Sequence, residues 1–176
     1  MKYTIPVLGF AAFSGTGKTT LLEKLIPRLN DADLSIAMIK HAHHNFDVDQ
    51  PGKDSYRLRK AGARQMLVAS SKRQALMTEN VLEQEPRLDE LLPRLDLDAI
   101  DLVLVEGFKH VSFAKIELHR EELGKPLLYP DDPDIIAIAS DQPDSEGPLP
   151  ALDINDIESI TAFIHAWLDT QHTDRG

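Results

Sequence analysis

Cysteine is absent from all 176 residues, so disulfides and thiolate-held metal centres are excluded. Positive charge is also scarce: 19 lysines and arginines stand against 29 aspartates and glutamates, for a net charge of −10. That balance argues against nonspecific binding to nucleic acid or to anionic membranes, which relies on clustered basic residues. No apolar run approaches the roughly 20 residues that a membrane-spanning helix needs. Repeats and low-complexity tracts are missing. Lys2 and the apolar residues after it have the look of a short signal peptide, but a phosphate-loop pattern follows directly. The run is therefore read as a first buried strand, and a cytoplasmic location is expected. The length suits one domain over residues 1–176, or one domain with a small extension, and allows a sizeable core.

What is present is concentrated near the N-terminus. Ala12-Phe13-Ser14-Gly15-Thr16-Gly17-Lys18-Thr19 matches the phosphate-binding pattern G-x-x-x-x-G-K-S/T, with Ala12 in place of the first glycine. The chemistry explains the spacing. Gly15 and Gly17 allow a tight turn whose N–H groups converge on phosphate oxygens. Lys18 brings a positive charge to the β- and γ-phosphates, and the Thr19 hydroxyl can ligate Mg²⁺. The following helix contributes its positive N-terminal end. Apolar residues 5–13 have strand length, and Leu21, Leu22, Leu25 and Ile26 make one face of a helix. Strand, loop, helix is the order the pattern requires.

Further along, buried strands are expected at 34–39, 101–106 and 135–139, with a half-exposed strand at 113–118. Asp54 is expected to cap a helix over 55–60 that Gly62 closes. Segments 65–69 and 74–78 flank Ser70-Ser71-Lys72-Arg73 and read as an antiparallel hairpin. Short helical spacing appears at 88–95, and a C-terminal helix at 156–168 precedes a tail expected to fray after Asp169. Alternating strands and helices predict a three-layer α/β P-loop NTPase fold, a mostly parallel sheet with an antiparallel hairpin. In such sheets ligands bind at the carboxyl ends of the strands. The phosphate loop, the His41 stretch, Glu106 and Asp141 all fall at such ends.

Glu106 closes the apolar run Leu102-Val103-Leu104-Val105, where an acid in a phosphate-loop protein holds Mg²⁺ directly or through water. Gly107 would let the backbone approach a phosphate. The stretch His41-Ala42-His43-His44-Asn45-Phe46-Asp47-Val48-Asp49 has acids suited to Mg²⁺ and imidazoles suited to a softer ion. Asp47 or Asp49 could supply a second Mg²⁺ contact. Lys53, Ser55 and Arg57 could touch an anionic ligand. Asp141 could accept N–H donors of a guanine base, although the Asn-Lys-x-Asp guanine signature does not occur in the chain.

The ordered set Ser14-Gly15-Thr16-Gly17-Lys18-Thr19-Thr20, Lys40-His41 with His43-His44, Asp47-x-Asp49, Pro51-Gly52-Lys53-Asp54-Ser55, Ala61-Gly62-Ala63 and Val105-Glu106-Gly107-Phe108-Lys109 resembles the molybdopterin-guanine dinucleotide biosynthesis protein B (MobB) family. The resemblance covers nearly the whole chain. It implies a GTP-binding, Mg²⁺-dependent homodimer with weak GTP hydrolysis, in the phosphate-loop class that includes signal-recognition GTPases and dethiobiotin synthetase. It also implies an accessory role beside the nucleotidyltransferase MobA, which attaches GMP to molybdopterin. Under it, residues 14–20 cradle the phosphates, Thr19 and Glu106 serve Mg²⁺, and Lys18 and Glu106 act in hydrolysis. Asp47 or Asp49 completes the metal site by analogy with dethiobiotin synthetase. The 65–78 hairpin is the expected dimerisation extension, and molybdopterin is a further candidate ligand. Two other readings stay open: a nickel-type metallochaperone GTPase using the His41–Asp49 stretch, and an ATP-dependent small-molecule kinase or ligase.

Overall fold

The apolar runs become strands and the apolar stripes become helices, in an order that puts the first strand in the middle of a sheet. The computed structural model describes residues 3–42, 46–82 and 84–173. In chain order the elements are β1 (Val7–Ala12), α1 (Lys18–Asp31), β2 (Ile36–Lys40), α2 (Asp54–Lys60), β3 (Gln65–Ala69), β4 (Gln74–Thr78), α3 (Leu88–Leu91), β5 (Leu102–Glu106), β6 (Lys115–His119), β7 (Ile135–Ser140), β8 (Ala151–Asp153) and α4 (Ile157–Thr173). The chain forms two compact units, Met1–His41 with Arg87–Gly176, and Ala42–Pro86. No helix among the described residues is long and apolar enough to cross a membrane.

In the larger unit six strands lie in the order β2-β5-β1-β6-β7-β8, and every pairing is parallel. Alternation along each strand feeds two cores. Leu8, Phe10, Leu102 and Leu104 join Leu21, Leu25, Ile160 and Ile164 of α1 and α4 on one face. Val7, Val103 and Val105 join Leu88 and Leu92 on the other. Helices thus cover both faces of the sheet, in agreement with the three-layer parallel class. β1 is flanked by β5 and β6, so later strands leave it in both directions. In parallel α/β sheets, ligands bind beside the carboxyl ends of the strands at such a reversal.

Strand β6 differs from expectation. It is buried along its whole length rather than half exposed. Ile116 and Leu118 enter the α1–α4 core. Lys115, Glu117 and His119 alternate with them and are buried as well. Residues 128–134 supply partners for the first two: Lys115 Nζ lies 2.9 Å from Asp132 Oδ2, and Glu117 accepts the N–H groups of Leu128 at 2.7 Å and Tyr129 at 2.9 Å. Alternation reported two chemically different faces, and the fold buried both.

Two helix boundaries move, and one strand has no counterpart in the sequence patterns. The 88–95 helix keeps one α turn, Leu88–Leu91, and continues as a 3-10 turn over Leu92–Arg94. Pro93 explains this, because its ring has no N–H and clashes with the carbonyl four residues back in an α-helix. Helix α4 runs to Thr173, beyond the expected fraying point, and is capped by Asp156 Oδ1, which accepts from Glu158 N and Ser159 N at 3.1 Å. β8 is only three residues long, too short to show a period.

In the smaller unit, helix α2 starts at Asp54 without a side-chain cap. The Ser55 hydroxyl instead donates to Asp49 Oδ1 at 3.0 Å. Closure follows expectation: Gly62 N–H reaches Arg59 O at 2.9 Å and Ala63 N–H reaches Leu58 O at 3.2 Å, the two bonds of a Schellman end. The hairpin pairs Met66 with Met77, Leu67 with Leu76 and Val68 with Ala75. Leu67 and Leu76 remain 59% and 60% exposed, an apolar pair that neither strand shields.

Candidate phosphate-binding site

The site is assembled at the carboxyl ends of β1, β2 and β5. β1 ends at Ala12, and the chain turns through Ser14-Gly15-Thr16-Gly17 into α1. Gly15 and Gly17 have φ near +90°, which side-chain-bearing residues rarely adopt. Gly17 is the residue that caps α1 in this left-handed conformation. Thr16 is buried, and its hydroxyl donates to Phe13 O at 2.8 Å, which closes the turn from inside. Ser14, Thr19 and Thr20 are exposed, with Thr19 and Thr20 in the first turn of α1.

Glu106 ends β5 directly between Phe10 of β1 and Lys40 of β2 in register. Lys18 Nζ lies 3.1 Å from Glu106 Oε1, and Lys40 Nζ lies 3.3 Å from Oε2. Burial pushes this carboxyl up, but hydrogen bonds and charge from Lys18 and then Lys40 outweigh it and hold it below its ordinary range. Glu106 is therefore an ionised acid at neutral pH, clamped by two lysines. The motif assigns the Lys18 charge to phosphate; here it is ion-paired. Lys40 is the partner that residue patterns left unassigned, since only strand register brings it opposite Glu106.

Gly107 has φ +92°, and a Cβ there would stand 2.6 Å from His41 Cβ. The close neighbour that demands glycine is thus His41. Its N–H donates to Glu106 O at 2.8 Å, and its ring stacks on Phe108 with centroids 4.9 Å apart. Phe108 itself is buried at φ +54°, a costly conformation for an aromatic residue.

Asp141 follows β7. Its Oδ1 accepts the Glu121 N–H at 3.1 Å, and its Oδ2 lies 3.8 Å from Arg120 Nη1. No sequence motif includes Arg120. Its only signal there is a basic residue just past a strand end.

Asp47 and Asp49 belong to the smaller unit, where both flank Arg59. Arg59 Nη2 donates to Asp47 Oδ1 at 2.6 Å, Nε lies 3.5 Å from Asp49 Oδ2, and Nη1 pairs with Glu79. The hydrogen bond from Arg59 is the main reason the Asp47 carboxyl lies below its ordinary range. Arg59, 6% exposed, is a second residue that motif reading passed over. Among the described residues no cluster of three or more His, Asp or Glu side chains could hold a metal. His43, His44 and Asn45 lie outside the described residues.

Residues 7–141 match the family model for molybdopterin guanine dinucleotide synthesis protein B. The molybdopterin-guanine dinucleotide biosynthesis adapter protein of Escherichia coli (strain K12) is 52% identical over 172 residues, spanning 97% of this chain and 98% of the relative. The adapter protein of the same description from Haemophilus influenzae is 46% identical over 175 residues, spanning 99% and 96%. The crystal structure of a MobB protein homologue from Bacillus stearothermophilus superposes with a TM-score of 0.67 at 22% identity, covering 93% of this chain and 98% of the other. A crystal structure of molybdopterin-guanine biosynthesis protein B gives 0.70 at 24% identity, covering 92% and 99%. At such identities the structural likenesses speak for the fold alone, while the two adapter proteins and the family model speak for descent. The chain belongs to the molybdopterin guanine dinucleotide synthesis protein B (MobB) family.

Proposed function

We propose that this protein is a GTP-binding adapter in molybdopterin guanine dinucleotide biosynthesis that works with the nucleotidyltransferase MobA. The adapter role draws on the names of the two relatives, both matched over nearly their full length. Nucleotide binding draws on one observation: Lys18, the first residue of α1 after the glycine turn, stands 3.1 Å from Glu106 at the carboxyl end of β5. A nucleoside triphosphate would take Lys18 as its phosphate partner and residues 14–20 as its cradle. Mg²⁺ fits the oxygen donors present: the exposed Thr19 hydroxyl and the Glu106 carboxylate that its lysines keep ionised. When bound, the ion would offset phosphate charge. Asp47 and Asp49 already pair with Arg59, so either would have to leave that arginine to reach a metal. Guanine preference rests on the kinship, because no Asn-Lys-x-Asp segment exists. Turnover would be slow, since Glu106 would serve Mg²⁺ rather than stand free as a base.

Homodimer formation through the hairpin completes the reading. An isolated two-stranded hairpin is marginal in water, and Leu67, Val68 and Leu76 are exposed. Sedimentation tests these parts together. The protein alone should run as a homodimer at micromolar concentration, and a heavier complex should form with purified molybdopterin nucleotidyltransferase, strengthened by GTP with Mg²⁺ and not by ATP. A monomer under every condition refutes the dimer. Failure to form a complex with any nucleotide refutes the adapter role.

Glu106→Gln should weaken Mg²⁺-dependent GTP binding about ten-fold, because the amide keeps the shape but not the charge that opposes a divalent ion. It should also release Lys18 and Lys40. A Mg²⁺ titration against GTP binding reads this directly. Overlaying curves for variant and wild type would make Glu106 an ordinary strand-end acid.

A further inference from the structure

We infer that Arg120 is a positioning residue for the phosphate loop, tying it to the loops that follow β7 and β8. The inference rests on the phosphate-loop reading above. Arg120 is the first residue after β6, and β6 pairs with β1 up to Leu118 opposite Ala12. The arginine therefore starts from rigid backbone next to the strand that carries the loop. Its Nε donates to Thr16 O at 3.0 Å. Its Nη2 donates to Asn155 Oδ1 at 3.4 Å, and its Nη1 faces Asp141 Oδ2 at 3.8 Å.

Each anchor is itself fixed. Asp141 accepts the Glu121 N–H at 3.1 Å, and Asn155 N–H and Nδ2 donate to Asp153 Oδ1 at 2.8 and 3.2 Å. Leu123, in the 3-10 turn after Arg120, backs the same loop: a Cβ on Gly15 would meet its Cδ2 at 3.8 Å.

The consequence follows from peptide geometry. In a planar trans peptide the C=O and the next N–H point in opposite directions. Holding Thr16 C=O toward Arg120 turns the Gly17 N–H to the other side of the loop, away from the arginine. That peptide sits where two glycines with φ near +90° leave the backbone least constrained by side chains. The guanidinium supplies the missing constraint, and it does so by engaging three segments with three different nitrogens. A lysine has one nitrogen and cannot span them. Asp141, in this arrangement, acts on the loop through Arg120.

The test uses the full chain with Arg120→Ala, Arg120→Lys and Asp141→Asn, and Lys18→Ala as the control. Amide hydrogen exchange over residues 13–19 is measured without ligand, and GTP and ATP affinities by calorimetry. Arg120→Ala should speed exchange over 13–19 while the rest of β1 and α1 keeps its protection. Its GTP affinity should fall by about 10- to 100-fold, the worth of one charge-assisted hydrogen bond. Arg120→Lys should be intermediate in both readouts. Asp141→Asn should weaken GTP and ATP by the same, smaller factor.

Unchanged loop exchange in Arg120→Ala overturns the inference, as does wild-type exchange in Arg120→Lys should the alanine variant fail to fold. Loss of GTP binding with ATP binding spared in Asp141→Asn would assign Asp141 to the base and overturn its link through Arg120. Wild-type protein that binds no nucleoside triphosphate defeats the proposed function, while exchange over 13–19 still judges Arg120.

Discussion

Lys18→Ala should lose tight nucleoside-triphosphate binding and still fold. The lost contact is a charge-assisted bond to phosphate, worth on the order of 2–3 kcal/mol. Folding tolerates the change because Glu106 keeps its second cation: Lys40 Nζ remains 3.3 Å from Oε2. The variant should leave one acid-dependent mark. The Glu106 carboxyl is depressed in the folded protein despite burial, with Lys18 the stronger of the two opposing lysines. A depressed carboxyl contributes stability above its unfolded pKa and loses it as pH falls through the folded value. Removing Lys18 shrinks that contribution, so variant and wild type should melt further apart at neutral pH than in acid. Calorimetry with GTP and melting curves at both pH values check the two halves. Unchanged GTP affinity would remove the phosphate-loop assignment.

The largest loss of stability should come from Glu117→Ala. Glu117 is 1% exposed, and its two oxygens accept Leu128 N–H and Tyr129 N–H. Truncation leaves both donors without an acceptor and opens space beneath residues 128–134. Each orphaned group costs about 1–3 kcal/mol. A total near 3 kcal/mol is a large share of the roughly 5–15 kcal/mol that holds a domain together. Glu117→Gln should fall between, since its amide offers one acceptor oxygen and sets an N–H₂ against the other donor.

The pH dependence runs opposite to that of Glu106. Burial pushes the Glu117 carboxyl up, and the N–H groups of Leu128 and Tyr129 only partly offset it. A raised carboxyl contributes stability fully below its unfolded pKa and loses it as pH rises through the folded value. The advantage of wild type over Glu117→Gln should therefore shrink from acid to neutral pH. Chemical denaturation at both values measures it; an equal advantage throughout would mean that folding leaves the Glu117 pKa unchanged.

The sequence by itself determined those features whose chemistry is local. The glycine turn before Lys18, the buried run Leu102 to Val105, the hairpin boundaries at Gln65–Ala69 and Gln74–Thr78, and the Gly62 helix end each depend on residues a few positions apart. Spacing and backbone preference suffice to read them, and with the ordered motifs they identify the family. What the tertiary structure alone decided is which distant side chains meet. Lys40 faces Glu106 because β5 inserts between β1 and β2. Arg120 reaches Thr16 across 104 residues because β6 takes the other side of β1. Asp47 and Asp49, eligible by composition for a metal, hold Arg59 instead in the smaller unit. The polar face of β6 is buried because residues 128–134 supply partners for Lys115 and Glu117. Each case turns on strand order or on a covering segment, and desolvated charges take whatever opposite charge or hydrogen bond that order brings within reach.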